Sequence, residues 1–255
     1  MPQTSSGDAP SQTAAYRRII LKLSGEAIQS PVSHIDPDLI DALAGELEPA
    51  VALGVEIALV VGGGNLWRGT GSAARGIERA TADQMGMLAT VINALAIQQG
   101  LERNGIETRL QTAIEIRAVA EPFIRRRAIR HLEKGRIILF AAGTGSPFFT
   151  TDTAAALRAR EIGAQAIFKA TKVDGVFETD PVKSPTARRF RRISYSRCLA
   201  RQLAVMDSTA FTMCMDSGIP IIVYNMATKG ALRRAVLGEQ VGTLVCSGNN
   251  IEELE

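Results

Sequence analysis

Residues 137–163 read IILFAAGTGSPFFTTDTAAALRAREIG, and their order of apolar run, glycine-bearing loop and helix recurs along the chain. Ile137 to Ala142 is a continuous apolar stretch of strand length, as in a strand buried on both faces. Helical spacing follows from Thr153 to Ile162 and stops at Gly163, with Thr151 or Asp152 placed to cap its start. Upstream, Arg18 to Leu23 and Val55 to Val61 read as strands. Between them Asp36 and Pro37 form an N-cap and N1 pair, Leu39, Ile40, Leu43, Leu47 and Val51 keep one helical face apolar, and Gly54 closes the helix. A longer helix is expected from about Ala82 to Arg103, with Thr81 and Gln84 in the form of a capping box and Asn104-Gly105 as its stop. Thr108 to Ile114 then reads as a strand, followed by an arginine-rich helix through His131. Strand Ala166 to Ala170, helix Ser208 to Ser217, strand Ile219 to Tyr224, a short helix Lys229 to Leu237 and a closing strand Gly242 to Cys246 continue the alternation. Strands joined through helices imply right-handed crossovers and parallel pairing. The expected fold class is therefore α/β: a three-layer α/β/α sandwich with a mainly parallel central sheet.

Residues 16–247 are read as a single domain without an internal repeat or interdomain linker. A polar N-terminal tail over 1–15, expected to be disordered, and a C-terminal tail over 248–255 flank it. Hydrophobic residues make up 46% of the chain and charged residues 22%, as in a globule with a sizeable core. The net charge of +3 suits small anionic substrates better than nucleic acid, whose readers carry a concentrated basic stripe, so no nucleic-acid partner is expected. Arginines cluster at 125, 126, 127 and 130 and again at 188, 189, 191 and 192; solvated surface is the plainer reading, an anion-binding or regulatory role the other. Cys198, Cys214 and Cys246 are too far apart for zinc-ligand spacing and suit a reducing cytoplasm. The longest apolar runs are too short to span a bilayer, and residues 1–15 lack the regions of a signal peptide, so no membrane association is expected.

In such sheets ligands gather beyond the C-terminal ends of the strands. Lys22-Leu23-Ser24-Gly25 puts a lysine at the end of a buried strand, where it either snorkels to water or meets a carboxylate or anion. Gly62-Gly63-Gly64-Asn65 can curl backbone N–H groups around phosphate oxygens, and Arg68 nearby can pair bidentately with phosphate; the plainer reading of three glycines is a flexible turn. Gly143 to Asp152 sets two aromatics among threonines and a serine, which fits a pocket for a base and its phosphate as well as a helix start. Lys169 follows Ile167-Phe168 at another strand end, while Asp174-Gly175 and Asp180-Pro181 have turn signatures. The Walker A pattern does not occur, and the only two histidines, His34 and His131, fall in a loop and an arginine-rich helix. Lysines, glycine amides and aspartates remain. Those are the parts phosphoryl transfer needs, since it asks for positioning and charge neutralisation more than acid–base chemistry.

The strings KLSGE (22–26), GGGNLWRG (62–69), DQMGMLAT (83–90), GTGSPFFTTD (143–152), KATKVDGVF (169–177), VMD (205–207) and GALRR (230–234) resemble those of the bacterial uridylate kinases, a branch of the amino acid kinase superfamily. The resemblance runs from Tyr16 to Val245, and its 143–152 and 169–176 strings argue against the carbamate, acetylglutamate, aspartate and glutamate kinase branches. It implies an amino acid kinase-like fold and transfer of the ATP γ-phosphate to UMP, giving UDP for pyrimidine nucleotide supply. Mg²⁺ is implied as the cofactor, carried by ATP without a direct protein ligand. Lys22, Arg68, Asp152 and Lys169 are implied as catalytic. The implied ATP contacts are Lys22, Leu23, Ser24, Gly25, Gly64, Arg68, Thr171, Phe177 and Asp180. Those implied for UMP are Gly63, Asp83 on the ribose, and the loop Thr144, Gly145, Ser146, Pro147, Phe148, Phe149, Thr150 and Thr151. Asp174 and Asp207 are divided between functional and structural readings.

Two departures from the family pattern stand out. Residues 29–36, QSPVSHID, contain no glycine where the family carries a glycine-rich loop tied to GTP activation, although Arg109 and Arg136 resemble the family's effector contacts. Ser146 stands in place of the commoner asparagine. The resemblance also implies a cytoplasmic homohexamer inhibited by UTP. Two competing readings are a non-catalytic nucleotide-binding storage or sensor protein on the same fold, and a kinase for CMP or another small acceptor.

Overall fold

The computed structural model describes residues 13–69, 76–203, 205–248 and 251–255. Strand β1 (Arg18–Leu23) is followed by a 3-10 turn at Gly25–Ile28, helix α1 (Pro37–Ala52) and β2 (Glu56–Val61). Helix α2 (Arg79–Arg103) leads to β3 (Thr108–Thr112), the short β4 (Glu121–Pro122) and α3 (Arg125–Glu133). Next come β5 (Ile137–Ala141), α4 (Thr151–Ile162) and β6 (Ala166–Thr171), the unit first read from sequence. The described chain finishes with β7 (Phe190–Ser194), α5 (Tyr195–Ala200), α6 (Ser208–Ser217), β8 (Ile221–Asn225), α7 (Ala231–Val236), β9 (Thr243–Cys246) and β10 (Glu252–Leu254).

One sheet runs in the order β10-β7-β9-β8-β6-β1-β2-β5-β3-β4. Among the described residues its pairings are parallel except β8 with β9 and β7 with β10. Side chains alternate to the two faces of each strand, so each face needs its own helical cover. Leu21, Leu23 and Leu59 pack with α1, α2 and α7, whereas Ile20, Val60 and Ile167 pack with α3, α4 and α6. The fold is thus the expected three-layer α/β/α sandwich. Cys198 and Cys214 lie within the second core, where burial pushes both thiols up to about 12.

Several local expectations need correction. Helix α2 begins at Arg79, and its N-cap Glu78 makes no side-chain capping bond. The Ala82 N–H already bonds the Glu78 carbonyl at 2.9 Å, so Thr81 lies inside the turn it was expected to cap, and no capping box forms. Part of the second arginine cluster is strand β7, whose Phe190 and Ile193 are fully buried while Arg191 faces out. Within the expected C-terminal tail, Glu252–Leu254 form β10 and pair antiparallel with β7. Of the expected N-terminal tail, residues 1–12 lie outside the described residues, and the Ala15 N–H bonds the Val236 carbonyl at 2.8 Å.

Candidate active site

Lys22 and Lys169 occupy matched positions on the adjacent strands β1 and β6, near their C-terminal ends. Alternation sends both side chains to the face covered by α4, whose first turn carries Asp152. Each ammonium lies 2.8 Å from a different oxygen of that carboxylate, Lys22 Nζ from Oδ1 and Lys169 Nζ from Oδ2. Lys169 also donates to the Val205 carbonyl. Burial pushes the Asp152 carboxyl up, but the two ammonium groups outweigh it and hold the group below the ordinary aspartate range. Burial pulls Lys169 down from the usual lysine value, Asp152 opposes that pull, and Lys22 adds to it. The result is a mostly buried row with one more positive than negative charge, directed to the strand ends.

Local sequence explains how Asp152 reaches this row. The N-cap of α4 is Thr150, not Thr151 or Asp152: its Oγ1 accepts from the N–H groups of Asp152 at 3.0 Å and Thr153 at 3.2 Å. Capping one residue earlier places Asp152 inside the first turn, where the helix dipole favours a carboxylate. Asp207 caps α6 by accepting from the Ala210 N–H at 2.9 Å, and it also accepts from the hydroxyls of Thr150 and Thr153. This one carboxylate locks the starts of α4 and α6 together, which is a structural role.

The glycine loop after β2 sorts by position. The Gly62 N–H bonds the Leu23 carbonyl at 2.9 Å. A Cβ on Gly63 would stand 2.9 Å from both the Gly86 carbonyl oxygen and the Ala89 side chain, so α2 can approach only a bare backbone there. A Cβ on Gly64 would meet nothing within 4 Å. Asn65 and Asn93 exchange amide bonds of 2.7 and 3.0 Å in full burial, Asn93 donates to the Gly62 carbonyl, and Asn65 donates to the His34 carbonyl. Those bonds tie the glycine-free loop over 29–36 and the triple glycine to one helix. Arg68 pairs with Glu26, which also takes Lys172 Nζ at 3.2 Å, so a carboxylate links three of the strand-end loops.

The loop between β5 and α4 is held in an unusual backbone. Ala142 and Phe148 both have positive φ, 62° and 72°, which side-chain-bearing residues seldom adopt. The Ala142 N–H is satisfied by Thr90 Oγ1 at 2.8 Å and the Phe148 N–H by Asp83 Oδ2, also at 2.8 Å. Asp83 is further paired with Arg79. Strain of this kind typically costs about 1–3 kcal/mol and persists where surrounding bonds fix it. Here it leaves both Phe148 and Phe149 exposed beside Asp83.

Residues 17–225 match the model of the amino acid kinase family. The chain belongs to that family. Among solved structures it is similar to the UMP kinase of Bacillus anthracis, at 38% identity and a TM-score of 0.89 over 94% of this chain and 99% of that one. It is similar as well to the UMP kinase of Ureaplasma parvum, at 33% identity and a TM-score of 0.85 over 91% of this chain and 99% of that one.

In this amino acid kinase, Lys22, Ser24, Lys169 and Thr171 line one cavity beyond the strand ends. Phe177 and Asp180 do not line it: Phe177 bridges to Arg189, and Asp180 accepts from the Val182 N–H at 3.0 Å in an exposed turn. Asp174 accepts from the Asn225 side chain at 2.9 Å. Leu23 is fully buried in the core. Arg109 and Arg136 lie at the starts of β3 and β5, the end of the sheet opposite the lysine row, and Arg136 is paired with Glu107 at 2.8 Å. Among the described residues no group of three or more His, Cys, Asp or Glu could hold a metal ion, and no helix is long and apolar enough to cross a membrane. Sequence reading passed over Asn93, whose only signal was a polar residue on the buried side of α2, and quoted Thr90 and Glu26 without giving either a task.

Proposed function

We propose that the protein transfers the γ-phosphate of MgATP to UMP, forming UDP and ADP. The observation that carries this reading is the Lys22–Asp152–Lys169 row set beside the strained 143–151 loop. A UMP phosphate is already ionised at neutral pH, so its oxygen can attack the γ-phosphorus as the bond to the β-phosphate oxygen breaks, with no general base needed. Lys22 and Lys169 would neutralise charge on the moving phosphoryl group, Asp152 would keep the two ammonium groups apart and aimed, and Arg68 would exchange Glu26 for phosphate. Gly64, Ser24 and Gly25 would meet the ATP phosphates, and Thr171, Phe177 and Asp180 its nucleoside. Gly63 would meet the UMP phosphate and Asp83 its ribose, while Thr144 and Ser146 would read the uracil. Magnesium arrives with ATP as part of the substrate.

Further parts of the proposal rest on family likeness. UTP, which shares the uracil of the acceptor, would inhibit by entering the same loop. A homohexamer in a cytoplasmic setting and effector contacts at Arg109 and Arg136 complete it. The storage or sensor alternative gains no support, because burying two like charges costs free energy that mere binding does not require. The test is a single turnover with ATP labelled on its γ-phosphate. Label should pass to UDP without labelled protein accumulating; a labelled protein that later discharges would overturn the direct transfer.

A further inference from the structure

A cavity of about 890 Å³ extends from the ends of β1 and β6 along α1 to the connection between β8 and α7. Small-molecule sites commonly span roughly 300–1,000 Å³. Its wall on the α1 side includes Leu39, Leu43 and Gly45, and its wall on the β8 side includes Met226 and Lys229. Lys22, Ser24, Lys169 and Thr171, proposed for the donor, line its strand-end half, whereas none of its α1 residues is proposed for either substrate. The proposed reaction therefore leaves the α1 half of this space without a task.

Two features indicate that the space is built. Gly45 stands in the interior of α1, where glycine costs about 1 kcal/mol relative to alanine, yet a Cβ there would meet nothing within 4 Å. Packing does not require a glycine at that point, and its bare backbone keeps the cleft wide. Across the cleft, the Gly230 N–H donates to Glu46 at 2.8 Å, so the α1 wall and the start of α7 are held at a fixed spacing. Lys172 and Lys229 line the cavity and can meet an anion, while Leu39, Ala42, Leu43 and Met226 offer an apolar wall.

We propose that this cleft is a second ligand site, taking a small aromatic anion. The aromatic body lies against Leu39, Leu43 and Met226, and its phosphate or carboxylate meets Lys172 and Lys229. Lys172 also holds Glu26, the partner of Arg68, so an anion drawing on Lys172 leaves that carboxylate to Arg68 alone, holds the guanidinium away from phosphate and weakens MgATP. That inhibition rests on the phosphoryl-transfer reading, whereas the site itself does not, so binding is measured directly alongside turnover.

The probe is 1-naphthyl phosphate, titrated calorimetrically into the full chain and into Gly45→Leu and Lys229→Ala. Leucine is a good helix former, so Gly45→Leu should keep α1 folded while filling the cleft, and its melting temperature checks this. The expected result is binding to the wild type, a loss of at least about tenfold in both variants, and KM values for MgATP and UMP within about twofold of wild type. Equal binding by wild type and Gly45→Leu would place the probe elsewhere and overturn the proposal, as would no binding to the wild type at millimolar concentration. A rise of about tenfold in the MgATP KM of Gly45→Leu would overturn it too, by giving the cleft to the donor nucleoside.

Discussion

Lys22 and Lys169 share the Asp152 carboxylate, one oxygen each. Replacing Lys22 with alanine removes a preorganised positive charge from the strand end, and kcat should fall by about 100-fold or more. Turnover near the wild-type rate would make Lys22 a structural lysine. Because burial and Lys22 depress Lys169, any activity that needs its ammonium declines as pH rises through a value below the ordinary 10.5. Over that same window stability rises with pH, since the unfolded chain holds this proton longer. Lys169→Arg, which stays charged, should carry the alkaline limb of kcat to higher pH. Asp152 is linked in the same direction, but in the acid range. Its contribution to stability is complete above the ordinary value of 3.8 and is lost as pH falls through its depressed value. Asp83 lies apart from this row and anchors the Phe148 N–H. Asp83→Asn should therefore weaken UMP far more than MgATP, and equal weakening in paired titrations would remove Asp83 from the acceptor side.

At the scale of elements, Thr150 joins two helix starts, as the cap of α4 and a hydroxyl partner of Asp207. Thr150→Ala should cost roughly 1–2 kcal/mol in urea unfolding, with Thr150→Ser closer to wild type. A cost near zero would mean that Asp207 holds α6 alone. Strands β1, β2, β5 and β6 were legible because each is a continuous apolar run ending at glycine or lysine, and α1 because Asp36, Pro37 and Gly54 mark both its ends. Strand β7 was not, because Arg191 and Arg192 interrupt its apolar pattern and only Phe190 and Ile193 give it apolar side chains in the core. Lys22, Lys169 and Asp152 could each be suspected from position. The resemblance grouped them in one site, but the sharing of one carboxylate, an oxygen to each lysine, was not legible, since it depends on strand register and on a cap one residue earlier than expected. Asn93 and Glu26 act through partners 28 and 42 residues away, which no local pattern announces.

On the whole molecule, α2 carries an apolar stripe away from both cores. Met85, Leu88 and Ile92 are 37%, 49% and 52% exposed, and their spacing of three and four residues puts them on one helical face. Such stripes commonly mark association surfaces. This one supports the proposed self-assembly: Leu88→Glu with Ile92→Glu should yield a smaller species in sedimentation while the melting transition of the isolated subunit is kept. An unchanged sedimentation coefficient would move the assembly surface off α2. The Lys22–Asp152–Lys169 row and Arg136 sit at opposite ends of the sheet, so an effector bound at Arg109 and Arg136 could reach the row only through the strands and helices between.

The most direct test of the account is ADP release from MgATP with UMP, CMP, dUMP and AMP offered in turn as acceptors to the purified full chain. The account requires turnover selective for UMP, lost in Lys22→Ala. Turnover favouring CMP or AMP would contradict the acceptor assignment, and no turnover with any of them, despite measurable ATP binding, would contradict the enzyme itself.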